Sequence, residues 1–206
     1  MPARLALPTR PRRNSAARAP PAPEHPRRPG SFGAVTRFAL QFDPAEILPL
    51  AARFPAGDDG PAAAAGAAAR AQGHYTRAQF LVVCAWKSPR SRPRVEANEE
   101  ATVRFATAAA LTAADERARM EALLALDGVG VPTASTLLHF AAPDRYPILD
   151  VRALESLGER TARSGYPVAY WLEYVAACRA LALRHGVDLR TLDKALWQWS
   201  KEQPPS

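Results

Sequence analysis

Residues 123–158 read LLALDGVGVPTASTLLHFAAPDRYPILDVRALESLG, and this stretch decides the fold. An apolar helical run closes at Leu126, and Asp127-Gly128-Val129-Gly130 forms a tight turn. A second helix is expected from about Pro132 to about Phe140, followed by a loop with Pro143 and Pro147 that ends in Asp150. Gly128 and Gly130 can take positive φ, which a tight reversal needs and residues with a Cβ resist. Pro132 suits the first turn of a helix, where no N–H is needed. The free amides of a helix start attract anions. The turn therefore reads in two ways. It is either a helix-hairpin-helix whose Gly128, Val129 and Gly130 amides hold a nucleic-acid phosphate, or a plain αα-hairpin with a glycine turn.

The continuation of the stretch adds to this. Asp150 lies 20 residues after Gly130, behind the two prolines and at the head of the segment Val151–Leu157. Together, Leu126, Gly128, Val129, Gly130, Ala134, Pro147 and Asp150 resemble the helix-hairpin-helix DNA glycosylase superfamily, the endonuclease III-like proteins. The likeness covers about residues 120–160. It implies an all-α bundle with the hairpin at 114–140 and the proline loop and Asp at 141–150, and it implies double-stranded DNA as partner. It also implies a catalytic Asp150. Bifunctional members carry a Lys two residues after the last hairpin glycine. Here that residue is Pro132, so the resemblance implies plain hydrolysis of a glycosidic bond without lyase chemistry. Members with an iron–sulfur cluster carry four clustered cysteines, and this chain has only Cys84 and Cys178. No cofactor and no metal are expected. Val151-Arg152 stands where the family often shows Thr-His.

Composition bounds the rest. A chain of 206 residues with 48% apolar content is expected to form one helical domain, at 37–206, plus a tail. The two cysteines sit in separate apolar helical runs and read as buried thiols. No run of 18 apolar residues appears, so no membrane span is expected. Nor is an apolar signal-peptide core evident. A monomeric cytoplasmic protein, nucleoid-associated if bacterial, is the expectation. The net charge is +7, but residues 1–36 hold seven arginines against Glu24. That leaves 20 basic and 19 acidic residues for the remaining 170, or about +1. DNA affinity must then come from local clusters. The Pro/Arg-rich segment 1–36 is expected to be disordered, as a basic arm, a transit peptide or a solvated tail.

The other segments read as helices. Asp43 is expected to cap Pro44–Arg53, with Pro49 kinking or splitting it. The Ala/Gly-rich run 55–73 reads as a loop or loosely attached helix. Thr76 and Gln79 form a capping box, and Tyr75 can staple onto Phe80. The body that follows, FLVVCAW, is apolar all round and reads as a central buried helix. It ends in a stretch where Lys87, Arg90, Arg92 and Arg94 are broken by Pro89 and Pro93. Lys87, Ser88 and Arg90 are candidates to border extruded DNA, or they belong to a solvated basic loop. Trp86 either stacks on a base or packs in the core. Asn98 and Thr112 are expected caps, with Asp115 as a capping-box partner. Ser135 and His139, four apart, share a helix face. His139 could line a base pocket or shuttle a proton, or be a satisfied core histidine. Trp86, His139 and Tyr146 are the candidate pocket residues. A long helix over 165–185 closes at Gly186, and Asp188 caps the last one. No alternating strand appears, so about seven to nine helices are expected.

Asp150 directly precedes a helix and is locally explained as an N-cap. The same placement keeps a carboxylate ionised, which is what stabilising an oxocarbenium-like sugar and orienting water require. Three functional classes follow. The first is a monofunctional DNA N-glycosylase of base-excision type, the second a non-catalytic helix-hairpin-helix DNA-binding module, and the third a helical interaction protein.

Overall fold

The computed structural model describes residues 37–55, 57, 59–159 and 165–204. The expectation of disorder over 1–36 lies outside them. The described residues form ten α-helices and two 3₁₀ turns and contain no strand. After a 3₁₀ turn at Pro44–Glu46 come α1 (Ile47–Arg53), α2 (Gly60–Gln72) and α3 (Arg77–Lys87). A second 3₁₀ turn, Pro89–Ser91, leads into α4 (Arg92–Val95), α5 (Glu100–Thr112) and α6 (Glu116–Leu124). The hairpin continues into α7 (Val131–Ala141), followed by α8 (Val151–Glu155), α9 (Val168–His185) and α10 (Leu189–Glu202). The bundle is all-α, as expected, with more helices than expected. The additional element α4 forms inside the basic stretch because Pro93 falls in its first turn, where proline is tolerated.

Local signals explain most boundaries. Asp43 accepts from the Ala45 amide at 2.9 Å. The Thr76–Gln79 capping box is present with both of its bonds. Asp188 accepts from Thr191 at 2.7 Å, and Gly186 closes α9 at φ +65°. Elsewhere the caps differ from the expectation. Asp115, not Thr112, caps α6, accepting from Ala118 at 2.9 Å, while the Thr112 hydroxyl donates back to Ala108 inside α5. Glu99 precedes α5, and Asn98 is buried and used elsewhere. Helix α3 is buried on one side only, with Val82 and Ala85 facing outward.

Helix α7 is the centre of the body. All of its residues except Pro132 are buried, and it packs against α2, α3 and α6. The Ala/Gly-rich segment is no loose attachment. It is the thirteen-residue α2, whose Ala62, Ala65, Gly66 and Ala69 lie against the core. Small residues let two backbones approach. A Cβ at Gly66 would overlap the Phe140 carbonyl and come within 2.6 Å of the Phe140 Cβ. Helix propensity alone favours alanine over glycine by about 1 kcal/mol. The packing reverses that sign, so Gly66→Ala is expected to lower the urea midpoint, with a loss of about 1–3 kcal/mol. A raised midpoint would refute the close α2–α7 contact.

Candidate nucleic-acid interface

The turn between α6 and α7 carries out part of what its glycines suggest. Gly128 sits at φ +74°, and a Cβ there would meet the Arg94 Cβ at 2.8 Å and the Val95 nitrogen at 2.9 Å. The hairpin is thus seated on the basic segment that the sequence places more than thirty residues earlier. Gly130 does not use that freedom. It lies at φ −98°, ordinary extended backbone, and serves as the N-cap of α7. Val129 is 7% exposed, and its amide donates to Leu126 O at 3.2 Å, so it has no N–H to offer a phosphate. The Gly130 and Val131 amides bond no acceptor among the described residues. Asn98 holds the turn from α4's side. Its Oδ1 accepts from the Asp127 amide and its Nδ2 donates to the Asp127 carbonyl, both at 2.9 Å.

Around the turn, Arg90 and Arg94 are exposed and pair with no carboxylate among the described residues. Arg92 pairs with Glu96 at 2.7 Å. Ser88 closes α3, its amide donating to Cys84 O and its carbonyl accepting from Ser91. Lys87 points elsewhere. Its Nζ lies 2.7 Å from Asp150 Oδ2, and its side chain is only 10% exposed. It is committed to that carboxylate and is not free to border a phosphate.

Asp150 reaches this position through α7. His139 Nδ1 donates to the Tyr146 carbonyl at 2.8 Å, since a carbonyl can only accept. Ser135 Oγ accepts from the Leu149 amide at 2.9 Å and donates to Pro132 O. From α9, the Tyr174 hydroxyl donates to Ile148 O at 2.8 Å. Three side chains therefore pin the loop from Tyr146 to Leu149. Asp150 then caps α8 through the Arg152 amide at 2.9 Å and meets Lys87. Burial works to raise the Asp150 pKa, but Lys87 and the Arg152 amide outweigh it and hold the carboxyl below its usual range.

The candidate pocket residues do not share one space. Trp86 packs edge-on against Phe140 at 5.0 Å and donates to Asp59 at 3.2 Å. His139 is a core clamp. Burial lowers its pKa to about 4, despite the bond to Tyr146, so it does not shuttle protons near neutrality. Tyr146 is 1% exposed, stacks on Trp171 and donates to Glu116 at 2.8 Å.

Behind the Lys87–Asp150 pair lies an ionic cluster that the sequence reading missed. Arg190 bonds Asp59 at 2.7 Å, pairs with Asp193, and sits 5.3–5.4 Å from the Phe54 and Trp86 ring centres. Burial raises Asp193 to about 6 against the pull of Arg190 and Lys87. The available signal was Asp193 itself, an acid on the apolar stripe of Leu189, Leu192 and Leu196. Asn98 carried no comparable signal. Both cysteines are buried, and burial pushes each thiol up to about 12. Among the described residues no helix is long and apolar enough to cross a membrane.

Comparison with protein-family models, with curated proteins and with solved structures gave no match.

The pH dependence follows from signs. His139 stays neutral in the fold to about pH 4 while the unfolded chain protonates near 6.5. The unfolded state therefore binds the extra proton in that window, and this group lowers stability by about 1.4 kcal/mol for each unit that the pH drops. Asp150, held low, adds stability above its unfolded pKa that is lost as pH falls through its folded value. In His139→Asn the amide nitrogen can replace Nδ1 without titrating. Urea unfolding from pH 7 to 4 is expected to be shallower for that variant. An unchanged slope would show that His139 protonates normally in the fold.

Proposed function

We propose that the protein binds duplex DNA through the α6–α7 hairpin and the basic segment seated beneath it. The observation that carries this reading is the contact of Gly128 with Arg94 and Val95. It brings the amides at the start of α7 and the arginines around α4 together, so one phosphate can meet backbone donors while its neighbours meet guanidinium groups. Opposing them is the exposed carboxylate of Asp127. Residues 37–206 carry only about +1 by sequence, so the binding of the body rests on this cluster and should be strongly salt-dependent.

A second, catalytic reading is favoured by the state of Asp150. An ionised, quarter-exposed carboxylate stands at a helix start beside an ammonium group. Such a group can stabilise the positive sugar that develops as a base departs, and can orient the water that replaces it. This is N-glycosidic hydrolysis of a damaged or modified base, with Asp150 as the catalytic residue. Lys87 then acts as a positioning residue, keeping Asp150 ionised and aimed.

Fluorescence titration of a short duplex at several salt concentrations tests the binding. Arg90→Ala with Arg94→Ala is expected to reduce the slope of log affinity against log salt by about 1–2. Asp127→Asn is expected to tighten binding about threefold, taking one charge about 6 Å from a phosphate in water. Absence of binding at low salt, or a slope indifferent to the arginines, would overturn the proposal. For the catalytic reading, base release from damaged duplexes is expected to disappear in Asp150→Asn while binding persists. Release that survives the substitution would remove Asp150 from the chemistry.

A further inference from the structure

At the end of α7 opposite the hairpin, a cavity of about 430 Å³ opens between the C-terminal ends of α2, α5 and α7. Its walls are apolar, with Leu111, Ala141 and Ala142, and the buried Tyr146 also belongs to the lining. Its rim is cationic. Arg70, in the last turn of α2, is exposed and has neither hydrogen bond nor ion pair among the described residues. Arg145 reaches Glu116 only at 3.7 Å and is 58% exposed. At the base, Arg119 is buried, and both of its terminal nitrogens are spent on the carbonyls of Ala110 and Ala113. It therefore contributes charge more than donors.

Charge is out of balance around the Tyr146 ring. Arg119, Arg145 and Arg179 lie 5.3–5.9 Å from its centre, and all three lean on one carboxylate, Glu116, which also accepts from the Tyr146 hydroxyl. Adding Arg70 makes four guanidinium groups, against Glu116 and the exposed Asp144. Like charges held together destabilise the fold unless an anion offsets them. An apolar hollow of this size, with the unpaired Arg70 and the loosely paired Arg145 at its mouth, has the build of a small-molecule site.

We propose that this cavity binds a small molecule with an anionic head, phosphate or carboxylate, on a flat apolar body. The head sits between Arg70 and Arg145, and the body lies against Leu111 and Ala142. The site is independent of the DNA reading, because the eleven-residue α7 separates it from the hairpin by roughly 16 Å.

Thermal unfolding and calorimetric titration of the full chain test this with phenyl phosphate, benzoate, inorganic phosphate and benzyl alcohol. Phenyl phosphate or benzoate is expected to raise Tm saturably, and the stronger of the two identifies the head group. Inorganic phosphate should bind at least about tenfold more weakly, and benzyl alcohol should not bind, since each lacks one half of the recognition. Arg70→Ala with Arg145→Ala, both on the surface, should weaken the better probe by about tenfold or more. Ala142→Trp, which fills the hollow from its partly exposed edge, should abolish binding. Several results would overturn the proposal: no heat and no Tm shift at millimolar probe, equal binding of inorganic phosphate, or unchanged binding in both variants. Displacement of the probe by a short duplex would assign the arginines to nucleic acid and equally refute the small-molecule site.

Discussion

Helix α7 is buried on nearly every side, yet five of its eleven residues are Pro, Thr, Ser or His. A buried polar group without a partner costs about 1–3 kcal/mol, and Ser135, Thr136 and His139 each find one nearby. Thr136 and Ser135 turn back to the Pro132 carbonyl. That carbonyl lies in the first turn of the helix, so these bonds keep the polar groups within α7. Ser135 and His139 have capacity left over, and both use it on the loop between α7 and α8. The demand for satisfied hydrogen bonds in the core is thus what shapes the loop. Tyr75 makes the same kind of bond from the other side, donating to Leu137 O at 2.7 Å.

The consequence is electrostatic. A loop held at Tyr146, Ile148 and Leu149 leaves Asp150 one place to go, at the start of α8 and against Lys87 from the end of α3. Those two residues are 63 apart in sequence, and each also feels the buried Asp193 behind them. A pair of this kind adds little net stability over apolar packing, but removing one partner leaves the other in a partly desolvated setting. The arrangement fixes the geometry and charge state of Asp150 more than it strengthens the fold. The two ends of α7 also differ in character. Unpaired amides stand beside arginines at its start, whereas its finish lies beside an apolar hollow ringed by guanidinium groups.

Local chemistry was legible in the sequence. Caps at Asp43, Thr76 and Asp188, the αL glycine at 186 and the hairpin itself depend on residues a few positions apart. What was not legible depended on distant neighbours. The docking of α2 is invisible to a hydrophobic scan, because alanine and glycine contribute by being small, and only the Phe140 backbone opposite shows why. The fate of Asn98 was set by the Asp127 backbone 29 residues on, not by the helix it precedes. Which of the two hairpin glycines would be left-handed was not legible either. One left-handed residue, Gly128, suffices to reverse the chain, and Gly130 has open space about its Cβ position apart from Pro132 at 3.8 Å. His139 looked like a pocket residue because imidazole groups serve both pockets and cores, and its bond to the loop shows that it is core; Tyr146 is buried too, yet it backs the cavity at the far end of α7.

We propose that one surface, the hairpin with its basic seat, meets DNA. The most direct measurement is a backbone amide NMR titration of the isotope-labelled chain with a short duplex. The largest shifts are expected on Gly128, Gly130, Val131, Arg90 and Arg94, with Arg70 and Arg145 at the far end of α7 unmoved. Shifts centred on the far end, or a spectrum indifferent to the duplex at low salt, would contradict it.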